Sequence, residues 1–257
     1  KNDQKIAEIY INKVDSVNVN EDDEEVAKIM SKYDLEAIPV VDDDNVLLGR
    51  ITIDDIVDVL KEEADKDYQL AAGLTQDVEA DDTVYELVKG RLPWLILGLF
   101  GSLGAVIIMQ NFQTIMENPE YKALFFFTPL IAAVAGNVGV QSSAIIVQGL
   151  ANDLIKGSLW SRLLKEVAIS LINGLLLSVI ITIFTSVLGF HFSFSMAISI
   201  SLMSVIIIAA LIGTFVPIVL DKRGIDPALA TGPFITTSND IFGILIYFSI
   251  AKLILGI

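Results

Sequence analysis

Residues 231–247 read TGPFITTSNDIFGILIY, and how that stretch is read decides the fold. A single carboxylate, Asp240, stands in an apolar run extending from about residue 228 to 256, long enough for a helix to cross ~30 Å of hydrocarbon. A charge at that depth is costly, so an ionisable residue inside a span marks a pathway by default. Gly232 and Thr236 lie eight and four residues before Asp240, and Gly243 and Tyr247 three and seven after, which predicts one small, polar stripe on a helix face. That stripe is expected to face protein or water. The plainer alternative is a neutral carboxylic acid hydrogen-bonded inside a helix bundle.

The run is interrupted at Gly232-Pro233 and opens with Asp226 as an N-cap candidate and Pro227 in the first turn. Broken helices at membrane depth are tolerated mainly where they line a cavity. Four more apolar runs precede it, at about 92–110, 123–149, 166–189 and 194–220. The second carries Gly136-Asn137-Val138-Gly139-Val140-Gln141-Ser142-Ser143, after Pro129 and before Gln148, with Asn137 and Gln141 on one face. It reads as an interruption matching that of the fifth run, although small and amide residues serve helix packing in membranes equally well.

The composition agrees with two solvents. The chain is 53% hydrophobic yet has 32 acidic residues. Residues 1–90 hold 25 Asp and Glu against 9 Lys and Arg, whereas residues 91–257 hold 7 against 8. The first part is therefore aqueous and acidic, the second membrane-embedded and nearly neutral. The absence of cysteine excludes little. No basic leader with a short apolar stretch is visible, and the natural start is expected upstream of Lys1. Orientation follows from Lys89 and Arg91 before the first span, Lys156, Arg162 and Lys165 between the second and third, and Lys222 and Arg223 between the fourth and fifth. All fall on one side, against Lys122 and Lys252 on the other, so the acidic part is expected in the cytoplasm of a plasma-membrane protein.

In the acidic part, Val26, Ile29, Met30 and Tyr33 repeat at helical spacing behind the acidic run 21–25. Two β-rich runs follow, 37–41 and 46–52, around Asp42-Asp43-Asp44-Asn45, whose residue types suit a hairpin turn, and then Ile56, Val57 and Leu60 on a second helix. Residues 62–90 are polar, pass through Gly73, and lead by Val84, Leu87 and Val88 into Lys89, Arg91 and Trp94, as expected of a connecting helical segment (64–90) at a membrane interface. Through Ala37-Ile38-Pro39-Val40-Val41-Asp42 and Gly49-Arg50-Ile51-Thr52-Ile53-Asp54-Asp55, residues 12–63 resemble a CBS domain, a regulatory module found in pairs; residues 1–11 look like the tail of a preceding copy. That resemblance implies a weak adenine-nucleotide contact at Thr52 and Asp55, against which stands a helix capping box of the same two residues.

With five spans, the motif from Pro129-Leu130 to Gln141, and Asp226-Pro227-Ala228 followed by Pro233 and Asp240, the whole chain resembles the MgtE family of magnesium channels, without its N-terminal helical domain. The fold class is thus expected to be an α-helical membrane protein with an N-terminal α/β CBS module. The resemblance implies a homodimer in the lipid bilayer with Mg2+ as its ion and a pore from spans two and five, metal contacts at Asp240 and Asp226, and a lining of Gly136, Asn137, Gln141, Gly232, Thr236 and Thr237. It also implies closure by cytoplasmic magnesium, sensed at Asp34, Asp55, Asp58, Glu63 and Asp67; a merely solvated acidic face is the bland alternative. Asp54, Asp58 and Glu62 recur every four residues, and such like-charge pairs weaken a helix by a few tenths of a kcal/mol.

Other functions fit less well. A non-conducting magnesium sensor, or a carrier of Mn2+ or Co2+, shares most of these features. An intramembrane aspartyl protease needs two carboxylates sharing a proton, and one buried Asp is offered. No phosphate-binding glycine loop or nucleophile elbow is present, so no enzyme is expected; nor is a nucleic-acid partner, and the lone His191 receives no role. Neutralising Asp55, Asp58 and Glu63 together is expected to leave flux running at high internal magnesium; unchanged inhibition in patch recordings counts against the sensor.

Overall fold

The computed structural model describes residues 15–75, 77–152, 154–155 and 157–256. The expectation for residues 1–11 and the orienting role of Lys156 lie outside the described residues. By internal contacts the chain divides into two compact units, Lys1–Tyr68 and Gln69–Ile257.

The first unit has the helix, hairpin, helix order expected of it. Helix α1 (Asp23–Tyr33) begins at Asp22, whose carboxylate accepts the Glu24 N–H, and ends at Asp34, a left-handed C-cap with φ of 53°. Its acidic first turn sits where the helix dipole favours negative charge. Strands β2 (Ala37–Val41) and β3 (Leu47–Thr52) pair antiparallel in a register that sets Ile38 against Ile51. Their turn is tied by Asp42, whose Oδ1 accepts the N–H groups of Asp44 (3.0 Å) and Val46 (2.8 Å). A two-residue strand, β1 (Val17–Asn18), adds parallel to β2, an element too short to show as a period in the sequence. Val17, Val26, Ala27, Met30, Ile38 and Ile56 form the core.

Helix α2 (Ile53–Ala71) starts at the capping arrangement expected of Thr52 and Asp55. Both the Thr52 N–H (2.9 Å) and its hydroxyl (2.7 Å) donate to Asp55 Oδ2. The backbone bond first, and the hydroxyl bond second, hold the Asp55 carboxyl below its usual range.

The second unit contains five helices long and apolar enough to span a bilayer. Helix α3 (Val84–Gln110) is capped by a reciprocal Thr83–Glu86 box. A short α4 (Gln113–Glu117) and a 3₁₀ turn (Lys122–Phe127) lead into α5 (Thr128–Ala151). Then come α6 (Leu159–Val187), α7 (Phe192–Asp221), a 3₁₀ turn (Pro227–Ala230) and α8 (Gly232–Leu255). Helix α7 is central, packed on α5, α6 and α8, while α3 packs along α8. Hydroxyls knit α6 to α7: Ser178 Oγ donates to the Ser199 carbonyl (2.9 Å), and the Thr182 and Ser199 hydroxyls lie 2.7 Å apart. With lipid on one side and apolar side chains on the other, such bonds and close packing replace the hydrophobic drive between helices.

Three expectations are corrected. Residues 64–90 are not one connecting helix: α2 ends at Ala71, Gly73 turns the chain at φ of +80°, and α3 begins only after Thr83. The stretch 136–143 does not interrupt its span, since α5 is continuous across it and uses its small residues for close contact. Spans one and three begin as helices about two turns before their apolar runs, span one at its Thr83–Glu86 cap and span three at Leu159.

The depressed Asp55 carboxyl stabilises the start of α2 above the ordinary carboxylate range, and the contribution is lost as the pH falls through its lowered folded value. Asp55→Ala is therefore expected to speed amide exchange over residues 53–57 at pH 7, the difference from the parent shrinking as the pH drops below 3.8.

Candidate cation site

The break expected at the head of the last span is present and has a defined construction. Asp226 Oδ1 accepts the Ala228 N–H (2.8 Å) and caps the 3₁₀ turn. Thr231 is extended, Gly232 takes φ of +48°, and α8 then starts with Pro233 in its first turn, where a missing N–H is harmless. Ser143 of α5 fastens this break by donating to the Ala230 carbonyl (2.8 Å).

Asp240 lies eight residues along α8, or about 12 Å from Gly232 at 1.5 Å per residue. It is half-buried and opens on a cavity of about 470 Å³ between α8 and α3. From α8 the cavity receives Pro233, Thr236, Thr237 and Asp240; from α3, Trp94, Gly98, Ser102 and, at its rim, Arg91. The Thr236 hydroxyl is spent on the Gly232 (3.2 Å) and Pro233 (3.1 Å) carbonyls of its own first turn.

One end of the cavity is covered by residues 72–74. A Cβ on Gly73 would overlap the Pro233 ring, and a Cβ on Gly232 would overlap the Ala71 carbonyl, so two glycines allow the backbones to meet there. The Thr75 N–H (3.0 Å) and hydroxyl (3.1 Å) both donate to the Gly90 carbonyl, pinning the segment to α3. Pro93 sits just beyond, and a proline inside a helix removes one ladder bond and crowds the preceding turn.

The structure brings Asp240, Thr236 and Thr237 together but leaves Asn137 and Gln141 out of this cavity; both are exposed on α5. Gly136 is buried against Thr236, where an added Cβ would lie 3.5 Å from its methyl. Asp226 and Gly232 belong to the break and not to the lining. The stripe expected through Gly243 and Tyr247 closes beyond Asp240. Gly243 packs on Ala135 and Val205, and Tyr247 is fully buried, its hydroxyl donating to the Leu124 carbonyl (2.9 Å) beside Phe125 and Phe248.

One carboxylate was missed. Glu166, at the margin of the third apolar run, is half-buried on α6 and accepts the Ser142 hydroxyl of α5 (2.5 Å). Of the residues proposed to sense cations, Asp34 caps α1, Asp55 caps α2 and Glu63 pairs with Lys66 (3.1 Å), while Asp58 is exposed; Asp67 is engaged as well.

Among the described residues no group of three or more His, Cys, Asp or Glu could cage a metal ion. A lone carboxylate in a roomy cavity suits a hard cation that keeps its waters, as magnesium does. Six waters at ~30 Å³ each need roughly 200 Å³, well inside the space available.

A family model described as a divalent cation transporter, MgtE, matches residues 128–250, and a CBS domain model matches residues 6–62. The chain is 38% identical over 250 residues to the magnesium transporter MgtE of Bacillus subtilis, covering 97% of this chain and 55% of that protein. It is 38% identical over 252 residues to the Enterococcus faecalis protein of that name (98% and 55%) and 35% over 259 residues to that of Thermus thermophilus (98% and 56%). The chain thus spans a little over half the length of these curated relatives.

A Cβ on Gly101 of α3 would overlap the Thr237 methyl, whereas Gly49 of β3 has open space. Gly101→Val is expected to destabilise the membrane unit by ~1–3 kcal/mol, the usual scale of overpacking, and to lower its thermal midpoint, with Gly49→Ala leaving that midpoint unchanged.

Proposed function

We propose that this chain, which belongs to the MgtE family, carries magnesium across the plasma membrane into the cytoplasm, with Asp240 holding the hydrated ion on its way. The observation that supports this most directly is the position of Asp240, the one carboxylate in a cavity large enough for a hydrated cation. A fixed charge beside retained waters lowers the cost of taking a divalent ion to membrane depth, and it leaves the ion free to move on because no cage of ligands must be broken. A relative's name, magnesium transporter, supports magnesium as the ion.

In this reading two copies assemble in the bilayer. Asn137 and Gln141 expose amides from α5 at membrane depth, where an unpaired polar group is expensive, so a water-filled lumen between two copies gives them a solvent. Spans two and five then line the pore, with Gly136, Gly232, Thr236 and Thr237 along it and Asp226 near its mouth. The basic residues Lys89, Arg91, Arg162, Lys165, Lys222 and Arg223 support a cytoplasmic position for the acidic unit. There the carboxylates of α2 respond to internal magnesium, an ion that shifts the pore toward closure if it binds the closed arrangement better. Of these carboxylates Asp58 is exposed and has no capping duty, while Asp55 serves α2 as its cap whether or not a nucleotide binds.

Flux of several divalent ions into liposomes carrying wild-type or Asp240→Ala protein tests the reading. Magnesium flux is expected to fall at least tenfold in the variant; undiminished flux overturns the assignment of Asp240.

A further inference from the structure

Asn239, next to Asp240, carries a buried amide on α8, at 1% exposure. Its side chain points between α8 and α5, where Nδ2 donates to the Ala135 carbonyl (3.3 Å). The amide occupies the space a side chain on Gly139 would fill, since a Cβ there would overlap Nδ2 and press on Ile235. Gly139 cannot retreat, because its carbonyl fills the space left by the absent Cβ of Gly213 on α7. The amide therefore sits in a slot one glycine wide, backed by a third helix.

The slot is not made for stability alone. Asn239 Oδ1 is buried with no hydrogen-bond partner, and an apolar side chain of the same shape would avoid that orphaned acceptor. A buried amide at a helix seam, despite such a cost, is the device by which an Asn in a coiled coil fixes register. Here the fixed quantity is rotation. Successive residues on a helix point ~100° apart, so a slot holding Asn239 against α5 also sets where Asp240 points. A turn of α8 by roughly 30° would sweep a carboxylate ~5 Å from the axis sideways by about 2–3 Å.

We infer that Asn239 is a positioning residue, whose amide in the Gly139 slot holds α8 at the rotation that aims Asp240 into the cavity beside α3. The inference rests on Asp240 being the ion-contacting group.

Two readouts on the whole chain in liposomes test it. Asn239→Leu keeps the volume and removes the amide; it is expected to raise the magnesium concentration for half-maximal flux at least fivefold with the yield of folded protein unchanged. Because the chain has no cysteine, Asp240→Cys can be modified by a water-soluble methanethiosulfonate without background, and adding Asn239→Leu is expected to slow that reaction at least fivefold. Wild-type half-saturation together with an unchanged thiol rate overturns the inference, since a side chain that only packs would give that result. If Asn239→Leu does not accumulate folded, Gly139→Ala in the Asp240→Cys background decides: its methyl displaces the amide from the slot and is expected to slow the thiol reaction at least fivefold, and an unchanged rate overturns the inference. An Asp240→Ala arm separates the two claims. Lost flux there beside wild-type behaviour in Asn239→Leu removes the positioning role alone, whereas normal flux in Asp240→Ala removes the site and this inference with it.

Discussion

Helix α8 is gripped on both sides by missing side chains, and the rest of the membrane unit is arranged around that grip. On α3, Gly98, Gly101 and Gly104 let Thr237 and Ile241 come against bare backbone; on α5, Gly136 and Gly139 do the same for Thr236 and Asn239. Between helices in lipid, dispersion contacts and a few hydrogen bonds carry the association, and both fall off steeply with distance. Glycine is therefore used where a helix must not drift. Its usual disadvantage inside a helix, roughly 0.5–1 kcal/mol relative to Ala, is offset by contacts that no larger residue permits.

That grip explains why Asp240 can be both deep and accessible. Residues of α8 such as Thr237 and Asn239 are consumed in packing on α3 and α5, and Asp240 opens instead on the cavity lined by α3 and residues 72–74. Two turns further on, Tyr247 and Phe248 fill the corresponding position against Phe112, Phe125 and the Leu124 carbonyl, so the opening is confined to the first half of the helix. The break at Thr231-Gly232 has a related function. It ends the preceding 3₁₀ turn and lets the backbone at 71–73 reach the start of α8, so the cavity is roofed by the segment that follows α2.

Hydropathy summed over ~20 residues is a strong signal, and all five apolar runs fall in helices long enough to span a bilayer. Helix ends were hidden because they are set by single residues such as Thr83, which lie in polar sequence outside the apolar run. The glycines of 136–143 were legible as unusual but not as packing, because their meaning lies in Thr236, Asn239 and Gly213, distant in sequence. The stripe through Tyr247 follows from the helical period, yet whether a stripe is open depends on what stands opposite, here the 3₁₀ turn 122–127. Glu166 escaped notice because it lies at the edge of an apolar run, where a carboxylate is cheap unless a buried hydroxyl claims it, as Ser142 does. In the acidic unit, Thr52 and Asp55 were legible as a cap because both partners are three residues apart.

A lone carboxylate also limits what can be held. Direct coordination of a bare divalent ion needs six or more oxygens, and among the described residues the cavity offers one carboxylate and a few hydroxyls, of which Thr236 is already committed to backbone carbonyls. An ion that keeps its own waters needs less from the wall: one fixed charge at the right azimuth and enough volume for the shell. Rotation of α8 therefore matters more than the number of ligands, because a hydrated ion is large and its attraction to a single charge depends on the distance the helix sets. The residues inferred to fix that rotation, Asn239 in its slot and Thr237 against Gly101, set where the one carboxylate of the cavity points.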